Sequence, residues 1–212
     1  MATVNNLLEL ARRQLGVKED PPGSNKVKYN TWYYGREVSG AAYPWCMVFV
    51  QWVFDRASVK LPTRTASCGA LMRAAQAAGC WVTKGYRPGD VVIYDFPGGA
   101  ATDHCGIVEA VDDSRVSAIE GNTSAASDAD GGAVERRARR LSLIAGAVRP
   151  TFDEEVEEMR YNTVAECPDW ARETVQKLID KGYLGGDGQS LDLSRDMVRI
   201  LVIQDRAGNF DQ

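Results

Sequence analysis

The 212-residue sequence contains a single histidine, His104, and no apolar run long enough to cross a membrane. Residues 1–16 are amphipathic and include two arginines, so they lack the apolar segment of a signal peptide. The five cysteines are odd in number and follow no framework spacing, which argues against a disulfide scaffold. We therefore expect synthesis in the reducing cytoplasm without a signal peptide.

Charge is distributed unevenly along the chain. The net charge is −4, but residues 1–150 carry 18 basic and 15 acidic side chains, whereas residues 151–212 carry 7 and 14. The break falls at the acidic run 153–158, and such runs are usually solvated connectors. We predict two domains, 1–150 and 160–212, joined by an acidic linker at 151–159.

The most apolar stretch, residues 46–54, begins directly after Pro44 and Trp45. Its length and its lack of alternation favour a buried helix over a strand. Proline is tolerated at or before a helix start, so Cys46 falls in the first turn. Unpaired N–H groups and the positive end of the helix dipole favour a thiolate there. A buried structural cysteine explains this stretch alone equally well.

The other elements follow from periodicity and turn residues. Apolar residues at helical spacing predict helices at 4–15 and 66–79, and residues 19–44 form a loop rich in Pro, Gly and aromatic residues. Beyond residue 87 the pattern changes to short strands separated by turns. Helices followed by a strand meander predict an α+β domain with an antiparallel sheet. The predicted strands are 91–96, 104–111, 116–122, 134–140 and 144–148.

The hairpin of the second and third predicted strands brings His104 towards two polar residues. If the turn centres on Asp113, His104 lies opposite Asn122. The same register sets Gly106 opposite Glu120. Side chains alternate along a strand, and opposed Cβ atoms lie roughly 4.5–5.5 Å apart. Both Glu120 and Asn122 are therefore within reach of the imidazole.

Together with Cys46, these residues suggest a nucleophile–base–orienter arrangement. Cys46 is the candidate nucleophile and His104 the candidate base. Glu120 or Asn122 would hold the ring in one tautomer, and the backbone N–H of Cys46 is a candidate oxyanion donor. The same constellation recurs on unrelated folds, so geometry has to confirm it.

Four short motifs follow one another in the first 150 residues: Pro44-Trp45-Cys46, Arg87-Pro88-Gly89-Asp90, Asp103-His104-Cys105-Gly106-Ile107-Val108 and Glu120-Gly121-Asn122. In this order they resemble the CHAP family, the cysteine, histidine-dependent amidohydrolases/peptidases. The resemblance implies a papain-like fold and cleavage of an amide bond in bacterial peptidoglycan. The bond is the N-acetylmuramoyl–L-alanine amide or a stem-peptide or cross-bridge bond. Since many members are endolysins or autolysins, we expect a phage or prophage endolysin that acts on the wall after release.

The resemblance also implies roles for individual residues. Carried over by position, Cys46 is the nucleophile and His104 the base. Glu120 is the orienting residue, and Asn122 is a further polar contributor. The family often has glycine before its histidine, and this chain has Asp103 there.

Four residues near these motifs are candidate substrate contacts. Three are aromatic residues in or just after the loop that precedes the nucleophile, and an aromatic loop there forms either a substrate wall or ordinary loop packing. The fourth stands beside the histidine. The candidates are Trp32, Tyr43, Trp45 and Asp103.

The sequence predicts no metal or other cofactor. Some family members bind calcium through an Asp-rich loop, but residues 19–44 offer three carboxylates without alternating spacing. Cys46, His104 and Cys105 suggest zinc at first sight. However, Cys105 should face away from His104 along the strand, and no paired-cysteine spacing supports a zinc site.

Helices are predicted at 168–181 and 194–205. Residues 160–212 resemble a degenerate S-layer-homology-like module, and the matching residues are Pro168-Asp169-Trp170-Ala171, Leu178, Gly182, Gly185, Asp187-Gly188, Leu191 and Arg199. We expect this module to associate with the wall. The alternative is a helical hairpin that supports the catalytic domain or mediates a dimer.

Four arginines between 136 and 140 could contact nucleic acid, but the net charge of −4 favours a solvated sheet edge or contact with anionic wall polymers. The expected partner is peptidoglycan, without nucleic acid or membrane insertion. The alternative from another functional class is a catalytically silent wall-binding protein.

Overall fold

The computed structural model describes residues 2–97, 102–124, 131–153, 159–186 and 190–211. The chain separates into two compact units, Met1–Glu154 and Glu155–Gln212. None of the helices in the described residues combines the length and apolarity needed to cross a membrane. The acidic run that suggested a linker lies largely outside the described residues.

Helices come first in the larger unit, as predicted. The central one is almost wholly buried, which fits its lack of a polar face. The helix that follows it in sequence begins at a serine cap, because the Ser67 hydroxyl accepts the N–H of Ala70. The helices are α1 (Val4–Arg12), α2 (Lys28–Tyr34), α3 (Cys46–Arg56) and α4 (Cys68–Ala77).

Helix α2 corrects the prediction of a continuous loop at 19–44. It has no side-chain cap at its start, and it ends at Gly35, whose φ of 69° is left-handed. Its stability comes from packing, because Tyr29 is fully buried and stacks against Trp45 with ring centroids 5.5 Å apart. A helix that depends on tertiary contacts in this way leaves little local signal in the sequence.

The second half of the larger unit is a six-stranded antiparallel sheet, so the predicted α+β class is confirmed. Its spatial order is β1-β6-β2-β3-β4-β5. The short strand at residues 81–82 was not predicted from the sequence. The strands are β1 (Trp81–Val82), β2 (Val91–Tyr94), β3 (His104–Val111), β4 (Arg115–Thr123), β5 (Ala133–Arg140) and β6 (Ile144–Val148).

The sheet buries both faces. One face packs against the helices, and it includes Ile93, Cys105 and Ile107 in the main core with α3. The opposite face carries a smaller cluster around Val92, Tyr94 and a short 3₁₀ turn at Leu141–Leu143. Adjacent residues of β3 therefore enter different environments, which decides where its polar side chains lie.

The smaller unit has its own apolar cluster, built around Cys167, Val175 and Val198. The two predicted helices are present with slightly shifted ends. Its elements are β7 (Arg160–Tyr161), a 3₁₀ turn (Val164–Glu166), α5 (Asp169–Asp180), β8 (Leu193–Ser194) and α6 (Arg195–Arg206).

Candidate active site

Cys46 is the first residue of α3, directly after the N-cap residue Trp45. Its side chain lies at the edge of the main core and is 8% exposed. The indole Nε1 of Trp45 donates a hydrogen bond of 2.8 Å to Oε1 of Glu19, which anchors the chain just before the helix. The thiol thus stands at the positive end of a largely buried helix.

His104 begins β3 and pairs with Tyr94 of β2. Its imidazole is fully buried and stacks with Tyr94 and Phe96, at centroid distances of 6.1 and 6.4 Å. Its Nε2 lies 3.0 Å from Oε2 of Glu120. Its Nδ1 has no hydrogen-bond partner among the described residues. One ring nitrogen is therefore oriented by a carboxylate, and the other is left for the thiol.

The hairpin register near the site is the predicted one, because Ile107 pairs with Ile119 and Val108 with Ala118. A bulge shifts the pairing only beyond Val108.

Two glycines explain how the site fits into this hairpin. A Cβ on Gly106 would lie 2.7 Å from Cγ of Glu120, so glycine makes room for the carboxylate to reach His104. A Cβ on Gly121 would lie 2.6 Å from Cβ of Phe49, so glycine lets β4 approach α3 closely.

Arg139 is the functional residue that sequence reasoning missed. Its Nε and Nη2 donate to Oε1 and Oε2 of Glu120 at 2.8 and 2.7 Å. The guanidinium is 4% exposed and lies over the rings of Phe96 and Tyr94, 4.8 and 5.1 Å from their centroids. The expectation of a solvated edge is therefore wrong for this arginine, while Arg136 and Arg140 are exposed.

These contacts favour a thiolate on Cys46 and an imidazolium on His104. The pKa of Cys46 is held well below its usual range, first by hydrogen bonds from Cys105 and Cys68, and then by His104, against the opposing effect of burial. Burial alone would lower the pKa of His104, but the nearby Cys46 thiol and the Glu120 carboxylate raise it to about 9. Burial likewise opposes ionisation of Glu120, yet Arg139 and His104 lower its pKa. Near neutral pH, His104 and Glu120 are therefore charged, and the surroundings of Cys46 favour its thiolate form.

Asn122 lies in the irregular stretch of β4 where the pairing with β5 shifts between Glu120 and Thr123. It is fully buried and has a left-handed φ of 57°. Its backbone oxygen accepts the N–H of Gly131, but its side-chain amide has no partner among the described residues. The structure therefore brings Glu120 to the imidazole by a direct bond and shows no such bond from Asn122.

The four predicted substrate contacts occupy different surroundings. Trp32 lines a cavity of about 350 Å³ with Phe54 and Arg64, beside the C-terminal half of α3. Tyr43 is half-buried and packs edge-on against Tyr34, 5.1 Å between centroids.

The remaining two have structural contacts. Trp45 is fully buried, so its side chain supports the site from within and presents no face to a substrate. The carboxylate of Asp103 accepts the N–H of Phe96 at 2.8 Å, which links the start of β3 to the segment that follows β2.

Two further sulfur atoms lie close to that of the candidate nucleophile. The Sγ atoms of Cys46, Cys68 and Cys105 all lie within 4.8 Å of one another. The expectation that Cys105 faces away from His104 is correct, since Cys105 belongs to the main core with α3. That same orientation directs it towards Cys46. These three residues are the metal-binding candidates of the described chain, and their spacing in sequence gives no hint of it.

The comparisons with known proteins agree with the motifs. Residues 38–122 match the family model described as the CHAP domain, a range that includes Cys46, His104, Glu120 and Asn122. The match confirms the resemblance stated from the sequence and supports a cysteine-dependent hydrolase. Among curated proteins, none matches this chain. The resemblance of residues 160–212 to an S-layer-homology-like module stays a prediction.

Three solved structures are similar over part of the chain. The crystal structure of Ly7917 is 20% identical over 70% of this chain and 62% of its own, with a TM-score of 0.42. The structure of Ly7917 with the hydrolyzing product of MDP is 19% identical over 70% of this chain and 63% of its own, with a TM-score of 0.43. The crystal structure of a wild type endolysin, LysIME-EF1, is 18% identical over 76% of this chain and 70% of its own, with a TM-score of 0.41. The match spans less than two thirds of both Ly7917 chains.

Proposed function

We propose that this chain, whose residues 38–122 match the CHAP domain, is a peptidoglycan hydrolase that cleaves an amide bond through a cysteine nucleophile. One observation carries the proposal. The only histidine of the chain is held by a buried carboxylate at 3.0 Å, and Cys46 and Glu120 together raise its pKa to about 9. A thiolate, an imidazolium and an orienting carboxylate are the groups that acyl transfer requires.

The reaction has two halves. The Cys46 thiolate attacks the amide carbonyl carbon, and the negative charge moves to the carbonyl oxygen. The backbone N–H of Cys46, in the first turn of α3, is the proposed donor to that oxyanion. The C–N bond then breaks as His104 donates its proton to the leaving amine, which leaves a thioester on Cys46.

Water completes the cycle. Neutral His104 takes a proton from water, and the resulting hydroxide attacks the thioester and releases the carboxylic acid. Cys46 leaves as the thiolate, and the imidazolium is restored beside Glu120. Arg139 keeps Glu120 ionised throughout, because it binds both carboxylate oxygens.

Two bonds are candidates for cleavage, namely the N-acetylmuramoyl–L-alanine amide and a stem-peptide or cross-bridge bond. The same residues serve both, since only the acyl and amine groups differ. We further propose that the protein is a phage or prophage endolysin, made in the cytoplasm and acting on the wall after release.

The smaller unit is proposed to associate with the wall. Its support is an exposed apolar and basic surface, where Trp170 is 43% exposed and Ile203 63%. A cavity of about 410 Å³ beside them is also lined by Arg195, Arg199 and Arg206. Aromatic and cationic groups together suit sugars and anionic wall polymers.

A catalytically silent wall-binding protein is the alternative from another class. Against it stands the buried network of His104, Glu120 and Arg139. Replacing a buried ion pair by apolar residues is often neutral or stabilising, so stability alone gives little reason to keep one. Such a network is typical of a site with perturbed ionisation that serves chemistry.

Mass spectrometry of the soluble products from purified walls tests the proposal and identifies the bond. Amidase action yields stem peptides with a free L-alanine amino group, and endopeptidase action yields new peptide ends. The parent should release one of these product sets, and Cys46→Ala should release neither. Equal products from both proteins would refute the cysteine mechanism.

A further inference from the structure

The sulfur of the nucleophile and its two sulfur neighbours come from three different elements of the larger unit. Cys46 begins α3, Cys68 begins α4, and Cys105 is the second residue of β3. Their Sγ atoms lie within 4.8 Å of one another although 22 to 59 positions separate them in sequence. All three are buried free cysteines. The fold therefore assembles a thiol triad that short-range sequence spacing cannot reveal.

The size of this triad is close to what a small soft cation requires. A Zn–S bond of about 2.3 Å places three sulfurs around one ion roughly 4 Å apart. The observed limit of 4.8 Å calls for a contraction of less than about 1 Å, which rotation of short side chains supplies. Thiolates prefer soft ions such as Cu⁺ and Zn²⁺ over hard ones such as Mg²⁺ and Ca²⁺.

We propose that Cys46, Cys68 and Cys105 form a binding site for one soft d¹⁰ cation, Zn²⁺ or its analogue Cd²⁺, and that the bound ion blocks the nucleophile. The binding site itself follows from the sulfur geometry. The inhibitory consequence rests on the proposed function, because only a catalytic Cys46 makes the site inhibitory.

The binding reaction balances in protons. One thiolate, from Cys46, and two thiols, from Cys68 and Cys105, combine with M²⁺ to give a tris-thiolate complex and two protons. Because binding releases these two protons, the affinity should increase with pH. The adjacent imidazolium of His104 offsets the single negative charge left on the complex.

Access to the site runs past its two less enclosed members. Cys46 and Cys68 are 8% and 6% exposed, whereas Cys105 is fully buried. An ion therefore enters where a substrate carbonyl must also reach Cys46. His104 is not part of the three-sulfur group, so the fourth coordination position falls to water or to a small anion.

Titration of the reduced, metal-free protein with Cd²⁺ alone tests the site. The parent should bind one Cd²⁺ and show a thiolate-to-cadmium charge-transfer band. Cys68→Ala should lose more affinity than the 10- to 100-fold that removal of an outer-shell partner typically costs, because it removes a ligand. Cys80→Ser is the matched control, since Cys80 is a half-buried cysteine of the same unit outside the group. It should bind like the parent.

The outcomes separate the two proposals. Equal Cd²⁺ binding by the parent and Cys68→Ala would overturn the metal site, whatever the lytic activity. Loss of binding in Cys68→Ala and in Cys46→Ala would support it. If Cys46→Ala lost Cd²⁺ binding but still cleared walls, the metal site would stand and the proposed function would fall. The inhibitory role is tested by the effect of Zn²⁺ on lytic activity. Zn²⁺ should inhibit Cys80→Ser as it inhibits the parent, and it should not inhibit Cys105→Ala.

Discussion

The guanidinium of Arg139 binds both carboxylate oxygens of Glu120, at 2.8 and 2.7 Å, inside the sheet face that carries His104. Glu120 therefore contacts a fixed cation on one side and the imidazole on the other. Burial alone would raise the pKa of Glu120, and the two partners reverse that effect. The orienting carboxylate is thus itself positioned by an arginine.

Replacing this arginine should damage both stability and activity. Arg139→Gln leaves the Glu120 charge buried without its partner, a change that typically costs about 3–5 kcal/mol in the free energy of unfolding. Urea unfolding measures this cost. Arg140→Gln, the exposed neighbour on the same strand, is the control and should change stability by less than about 0.5 kcal/mol.

The conservative variant separates charge from geometry. Arg139→Lys keeps the charge but loses the bidentate contact, so it should recover only part of the stability and turnover. Full recovery by lysine would contradict a role for the paired hydrogen bonds.

Glu120→Ala should lower turnover more than Asn122→Ala. Glu120 contacts Nε2 of His104 directly and stabilises its charge, whereas the Asn122 amide has no partner among the described residues. Single-turnover cleavage of a soluble wall fragment gives the comparison. If Asn122→Ala proves the more damaging, the third catalytic member has been assigned to the wrong residue.

Activity should fall as pH rises through about 9. The pKa of His104 is raised from 6.5 to about 9, so the imidazolium that protonates the leaving amine persists to that pH. For the same reason, the contribution of His104 to folding is complete below about pH 6.5 and is lost as pH rises through about 9. The pH profile of kcat/KM on metal-free protein measures the alkaline limb.

A pair of variants tests the cause of this pH dependence. Glu120→Gln removes a charge that raises the pKa of His104, so the alkaline limb should move to lower pH. Glu135→Gln, on the paired position of β5, should leave the limb in place. A parent whose alkaline limb already lies near 6.5 would show that His104 is not paired with a thiolate.

Much of this site could be predicted because its members are local in sequence or close in one hairpin. Cys46 follows Pro44 and precedes an apolar run, which indicates a helix start. The position of Glu120 follows from the register of a tight turn, and the bulge of β3 falls beyond the site, so it does not disturb the register.

The missed features depend on contacts between distant elements. Arg139 belongs to a row of arginines whose pattern suggests a solvated edge. Only its contacts with Glu120, Tyr94 and Phe96 distinguish it. Cys68 meets Cys46 only through the packing of α4. No local propensity encodes such contacts, because each depends on how complete elements dock.

The larger unit should fold alone, and it should be more stable if the cut spares residues 151–153. Asp153 donates its N–H to the Ala2 oxygen and accepts the Ala2 N–H on its carboxylate, at 2.9 and 2.8 Å. Phe152 packs against the main core. The free energy of unfolding of a chain ending at Asp153 should therefore exceed that of a chain ending at Pro150 by about 1–2 kcal/mol. Its Tm should be several degrees higher.

Thermal unfolding followed by circular dichroism compares these two chains. Both should cleave soluble fragments, and both should bind intact walls less well than the parent. If both chains prove insoluble, residues 160–212 complete the core and are not a separate module.

The central claim is that Cys46 performs the chemistry, and the clearing rate of purified walls by Cys46→Ala tests it most directly. Circular dichroism must first show that the variant is folded, and Cys80→Ser serves as the cysteine control with a rate close to the parent's. A folded Cys46→Ala protein should clear walls at least about a thousandfold more slowly, since removing a covalent nucleophile costs this much or more. A folded Cys46→Ala protein that clears walls at a rate near the parent's would contradict the account.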